Sequence, residues 1–200
     1  MEPRAAAPAP QPDGRRADGA PAVSAAVRIR VAAEADVSAI AAIYADAVQT
    51  GTASWELAPP DEATMRERMS AILGGGYPYL VAVDGGALAG YAYASAFRPR
   101  AGYRHTVEDS IYVAREARRC GVGNALLGAL IDACATAGFR QMVAVIGGRD
   151  EVPSIRLHAA HGFVDVGTLP GIGRKFGRWL DCVHMQRSLG EGATSAPDGE

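Results

Sequence analysis

The stretch that most constrains this chain is Arg118-Arg119-Cys120-Gly121-Val122-Gly123, set between the strand-like run Ile111-Tyr112-Val113 and the amphipathic run Asn124 to Ala137. Strand, basic glycine turn and helix in direct succession point to an α/β protein and leave free backbone N–H groups at the helix start. Gly121 and Gly123 permit close backbone approach, while Arg118 and Arg119 neutralise the outer oxygens of an anion. The turn therefore reads as a phosphate site. Its spacing is wrong for the dinucleotide fingerprint, and no Gly-Lys-Ser/Thr follows to make a Walker A loop. A plain loop with solvated arginines is the competing reading of so short a pattern.

The rest of the chain builds a single α/β domain around this unit. Val27 to Val31 alternates apolar and basic residues, which predicts a first strand, and a helix follows over about Asp36 to Val48. A second helix starts near Asp61, which caps its free amides after Pro59-Pro60, and Gly74-Gly75-Gly76 stops it. Strands fit Tyr79 to Val83, Ala87 to Phe97 and Thr106 to Val113, with Asp84-Gly85-Gly86 as a hairpin turn. Val122, Leu126, Leu127, Leu130, Ile131 and Cys134 recur at helical spacing after the glycine turn, and Gly138 ends that helix. Gln141 to Ile146 is then a strand, Pro153 to His161 a helix, and Phe163 to Thr168 and Trp179 to Arg187 are the last strands. The expected sheet is mixed, with helices flanking it.

Composition removes several function classes. The chain has 200 residues, 48% of them hydrophobic, enough for one domain with a real core. Residues 1–26 are crowded with Ala and Pro and lack a long apolar run, so they read as a disordered tail. Residues 190–200 read as a flexible end, leaving 27–189 as the domain. No stretch reaches the roughly 20 apolar residues that cross a membrane, so a cytoplasmic location is expected. The formal net charge of −2 argues against wholesale nucleic-acid binding. Cys120, Cys134 and Cys182 are few and scattered, favouring neither a disulfide framework nor a metal site.

The sequence resembles the Gcn5-related N-acetyltransferases, whose cofactor loop has the form Gln/Arg-x-x-Gly-x-Gly/Ala; Arg118, Gly121 and Gly123 match it. Within that superfamily it is similar to the bacterial phosphinothricin and methionine sulfone or sulfoximine N-acetyltransferases, from about Ile29 to Arg187. That closer resemblance rests on Gly90-Tyr91-Ala92-Tyr93-Ala94, Thr106-Val107-Glu108, Val143-Ala144-Val145-Ile146-Gly147, Arg156-Leu157-His158 and Lys175-Phe176-Gly177-Arg178-Trp179-Leu180-Asp181. It implies direct acetyl transfer from acetyl-CoA to an amine, without a metal or a covalent enzyme intermediate. The implied fold has a central splayed sheet with the cofactor between the strand ending at Val113 and the strand from Gln141 to Ile146. Ile111, Val113, Arg118, Arg119, Gly121, Val122, Gly123, Asn124 and Ser154 are then the cofactor residues. The resemblance also implies a homodimer.

A protonated amine has no free lone pair, so attack on a thioester needs a base. Glu108 falls at the family's glutamate position, and alternation places it on one face with Thr106, Ser110 and Tyr112, opposite Val107, Asp109 and Ile111; it takes the proton directly or through a water, and a solvated carboxylate on a sheet edge is the competing reading. His158 takes the place of a superfamily tyrosine that protonates the leaving thiolate; it either serves near the sulfur or is a structural histidine. For a small polar acceptor amine, an amino acid or its analogue, the resemblance points to Arg100, Tyr103, Lys175, Arg178 and Trp179. The competing reading of these is ordinary surface. Trp55 either walls the acceptor pocket or seals the core. One departure stands out: Glu151 occupies the Asn of the family's Asn-x-x-Ser signature ahead of Ser154, and an ionised carboxylate cannot donate to the cofactor arm. A noncatalytic acyl-CoA sensor is therefore the alternative from another class, and an acetyltransferase for another small amine is the alternative within this one.

Overall fold

A computed structural model of the chain describes residues 27–197. In chain order the elements are β1 (Arg28–Val31), α1 (Val37–Thr50), α2 (Glu62–Gly74), β2 (Tyr79–Asp84), β3 (Ala87–Ala96), β4 (Thr106–Val113), α3 (Val122–Thr136), β5 (Gln141–Ile146), α4 (Val152–Ala160), β6 (Val164–Lys175) and β7 (Arg178–Ser188). The strands form one sheet in the order β1-β2-β3-β4-β5-β7-β6. It is mixed, because β4 and β5 run parallel while the other neighbours pair antiparallel. The expected α/β architecture is present. The N-terminal segment expected to be a tail lies outside the described residues.

Each face of the sheet buries a different set of side chains. Val122, Leu126, Leu127, Leu130, Ile131 and Cys134 form the buried stripe of α3 and pack with Val107, Met142 and Ala144. On the other face, α1 and α2 cover Tyr79, Tyr91 and Tyr112 with Ile40, Met65 and Met69. Val107 and Tyr112 thus belong to opposite cores, as strand alternation requires. Asp61 caps α2 by accepting from Thr64 N at 2.8 Å.

The sheet opens in its middle. β4 and β5 pair only from Thr106 with Gln141 to Asp109 with Ala144. Beyond that point β4 stays with β3 as far as Val113, and β5 stays with β7 as far as Ile146. The two strands part, and the cleft between them faces the glycine turn on one lip and the β5–α4 loop on the other.

One element differs from expectation. β6 runs to Lys175 rather than ending near Thr168. Its Gly and Pro170 read as loop, yet β6 is an edge strand whose register shifts between Asp165 and Gly167 and between Leu169 and Gly173 absorb them. Of the described residues past Leu189, Ser195 and Ala196 meet Arg140, which donates to Ser195 Oγ at 3.1 Å and to the Ala196 carbonyl at 3.0 Å.

Candidate active site

The glycine turn is built for an anion. Arg119 (φ 64°) and Gly121 (φ 82°) are both left-handed, a conformation that costs a non-glycine residue strain. The first helical bond of α3 runs from Ala125 N to Gly121 O, so the N–H groups of Val122, Gly123 and Asn124 have no acceptor within the helix. With the helix dipole behind them, they favour a phosphate. Arg118 and Arg119 are exposed beside them. Arg118 pairs with Asp46 of α1 at 3.2 Å, and the same carboxylate holds Arg115 at 2.7 Å. The Asn124 side chain faces His161 Nε2 at 2.9 Å, which leaves its backbone N–H as the group available to an anion.

Ile111 and Val113 supply polar backbone to the open cleft. Ala114 N bonds to Ala89 O of β3, so by alternation Ile111 and Val113 turn their N–H and C=O groups away from β3, toward the side where β5 has left, and the Val113 carbonyl there accepts from Arg118 Nε at 3.3 Å. A long ligand with phosphate at one end and amides along its length fits such a cleft, because buried backbone groups require partners.

Glu108 lies just before the point where the strands part, paired across β3 with Ser95 and across β5 with Val143. It is half-buried, and among the described residues no group donates a hydrogen bond to its carboxylate. Burial first, then the charge of Asp109, lift its carboxyl above the ordinary value, against an opposing pull from Arg98. Its neighbours open onto two cavities. One, of about 320 Å³, is lined by Tyr44, Arg68, Tyr91, Tyr93 and Ser95. The other, of about 510 Å³, is lined by Arg98, Tyr103, Thr106, Val143 and Thr168. Its cross-strand neighbours Ser95 and Val143 each line one of them, and a carboxyl raised by burial holds a proton more readily than a free one.

His158 is buried on the opposite face. Its Nδ1–H donates to the Ser154 carbonyl at 2.8 Å, with Ser154 Oγ at 3.4 Å, and its Nε2 meets Asp109 Oδ2 at 3.0 Å. Burial alone pushes the imidazole down, but the bond and charge of Asp109, with the Ser154 carbonyl, outweigh it and raise the pKa above the ordinary value. Asp109 points away from Glu108, so the structure does not bring Glu108 and His158 onto one face. It makes His158 the tie between α4 and β4.

The acceptor-side candidates divide into three groups. Trp55, Lys175 and Ser54 come together: Lys175 is buried and its Nζ donates to Ser54 O at 2.8 Å, while burial holds its pKa low. Arg178 pairs with Asp150 at 3.1 Å, and Trp179 is exposed on β7. Tyr103 lines the larger cavity with its ring edge-on to Phe97, and Arg100 is exposed next to it. Sequence reasoning missed Asp46, Thr52, Ser54 and the pairing of Asp109. Only Asp109 left a signal, an acidic residue beside Glu108 turned toward the other core.

An open α/β sheet with a parted central strand pair and an anion-binding turn at the cleft defines a class of acyl-group transferases, and a family model confirms it. The acetyltransferase (GNAT) family model matches residues 40–163, and the chain belongs to that family. It is 48% identical over 187 residues to a phosphinothricin N-acetyltransferase of Alcaligenes faecalis, covering 94% of this chain and 95% of that protein. That likeness reaches beyond the span from Ile29 to Arg187. It is 44% identical to an L-methionine sulfoximine/L-methionine sulfone acetyltransferase of Pseudomonas paraeruginosa, over 84% of this chain and 98% of the relative. A phosphinothricin acetyltransferase from Sinorhizobium meliloti, solved in complex with AcCoA, superposes with a TM-score of 0.85 at 51% identity, covering 87% of this chain and 94% of that one.

Proposed function

We propose that this N-acetyltransferase transfers the acetyl group of acetyl-CoA directly to the α-amino group of a small amino acid or analogue, such as phosphinothricin, methionine sulfone or methionine sulfoximine. The observation that carries this reading is the parted β4–β5 pair, with free α3 amides on one lip and the raised carboxylate of Glu108 at its root. The names of the relatives supply the acceptor class. The α3 amides with Arg118 and Arg119 hold the pyrophosphate, and the outward groups of Ile111 with the Val113 N–H hold the amide-bearing arm.

In this reading Glu108 takes a proton from the ammonium, the freed nitrogen attacks the thioester carbonyl, and the C–S bond breaks as the tetrahedral centre collapses. The nitrogen sheds its second proton as the amide forms, and the departing thiolate takes up one. His158 would return it only by exchanging its Asp109 or Ser154 contact, so we assign it first to placing α4. Arg100 and Tyr103 anchor the acceptor carboxylate beside the larger cavity. Lys175 acts on the acceptor wall through Ser54.

We also propose a homodimer and a cytoplasmic location. Val164, Val166, Leu169, Ile172, Phe176 and Trp179 are all 45% or more exposed on the β6–β7 hairpin, and a second copy is the occupant that would cover them. No helix among the described residues is long and apolar enough to cross a membrane. The three cysteines are free, one exposed and two buried.

Thiol release from acetyl-CoA, measured with the three named analogues, a polyamine and an aminoglycoside, tests the function. Turnover confined to the amino-acid analogues is expected. Binding of acetyl-CoA with no turnover on any amine would favour a sensor.

A further inference from the structure

The 51–56 part of the loop between α1 and α2 is fastened to its surroundings. Thr52 Oγ1 donates to Glu151 Oε1 at 2.6 Å, and the Thr52 carbonyl lies so close over Gly147 that a Cβ there would come within 2.1 Å of it. Ser54 Oγ bonds to the Tyr44 hydroxyl at 2.8 Å, and Ser54 O accepts from Lys175. The Trp55 ring rests on Gly173, where a Cβ would fall 1.9 Å from it. Glu56 pairs with Arg68 at 2.6 Å.

These contacts reach both lips of the open cleft. Asp46, one turn before the end of α1, holds Arg115 and Arg118, which follow β4. Thr52 holds Gly147 and Glu151, which follow β5. The end of α1 and its loop therefore bridge the mouth of the splay.

We propose that Glu151 is a positioning residue, latching the 51–56 loop through Thr52 to the start of α4, so that the acceptor wall keeps one position against the cofactor cleft. Glu151 is fixed on its own side, since its N–H bonds to Gly148 O and its carbonyl accepts from Ile155 N in the first turn of α4. α4 is fixed to β4 through His158 and Asp109. Thr52 is 5% exposed, so water does not replace Glu151 as its partner. A hydroxyl-to-carboxylate bond is among the stronger kinds. On the loop side, Ser54 positions Tyr44, which lines the cavity reaching Ser95, the cross-strand neighbour of Glu108. The acceptor identity rests on the function proposed above; the latch rests on geometry alone.

Steady-state kinetics with methionine sulfone and acetyl-CoA test it through Thr52→Val, Glu151→Ala and their double variant, with Thr52→Ser and Glu151→Gln as the conservative pair. Each disruptive variant is expected to raise the KM for the acceptor about fivefold or more, the low end of coupling between sites, and to leave the KM for acetyl-CoA within about twofold. The double variant should be no worse than the worse single one, because both remove the same bond. The conservative pair, which keeps a donor and an acceptor, should behave as native. Additive losses, or an equal rise in both KM values, would overturn the latch. A second readout needs no turnover. The chain has two tryptophans, so in a Trp179→Phe background Trp55 is the one emitter, and adding Thr52→Val should shift its emission to the red and expose it to acrylamide. Unchanged emission and quenching would also overturn the proposal. Failure of the native protein to acetylate any amine would remove the proposed function and leave the Trp55 result to decide the latch.

Discussion

Glu108 is held at a cost to the fold. Its carboxyl is raised, so the native state binds a proton more tightly than the unfolded chain does. Stability therefore falls as pH rises from the ordinary glutamate value through the raised one, above which the native state carries the full penalty. Glu108→Gln should consequently melt higher than the native protein at pH 7, and should lose the decline that the native protein shows on the acid side. Melting curves from pH 4 to 8 check this; a variant less stable at pH 7 and equally pH-dependent would place the charge in a favourable site instead. The face of Glu108 was legible from alternation alone, because Thr106, Ser110 and Tyr112 share it. The surroundings of Lys175 were not. Lysine is ordinarily exposed, and the group that draws this one inward is a backbone carbonyl at Ser54, which no side-chain pattern announces.

At the scale of elements, α4 is pinned by a buried pair rather than by a broad apolar face, since His158 is its one buried residue. The imidazole pKa is raised in the fold. The stability from that contact is then complete below the ordinary value of 6.5 and is lost as pH rises through the raised one. Asp109→Asn removes the charge and keeps the shape, and should destabilise the protein by roughly 3–5 kcal/mol at pH 6, the scale for breaking a buried ion pair. The loss should be smaller at pH 9. Urea unfolding at the two pH values measures it, and an equal loss at both would show that the pair is not ionised in the native state. Strands β4 and β5 were read to the residue, β4 from its mixed polar and apolar run and β5 from a short apolar run set between Gly138 and Gly147. The length of β6 was not, since its pairing is set by β7 across a bulged register that its own Gly and Pro contradict. The His158–Asp109 pair joins positions 49 residues apart, beyond any local signal.

At the scale of the molecule, the sheet parts at its centre and leaves an apolar hairpin at its edge, and the two features serve different ends. The edge is what a second copy would cover. Light scattering at micromolar concentration should give twice the chain mass, and Ile172→Lys with Trp179→Lys should return it to the monomer; a native monomer would remove the dimer. The parted centre is where the proposed function places the chemistry, and its general outline was legible because a strand, a basic glycine turn and a helix constrain one another. The bridge from α1 across both lips was not, because its ties to Arg118 and Glu151 are tertiary. The central claim is that Glu108 is the base for amine acetylation, and the most direct test is the kcat of Glu108→Gln relative to the native enzyme at pH 7 with methionine sulfone and saturating acetyl-CoA. A fall of about 10²-fold or more, the scale of acid–base contributions, is the predicted result, with acetyl-CoA affinity nearly unchanged. Turnover near the native rate would contradict it.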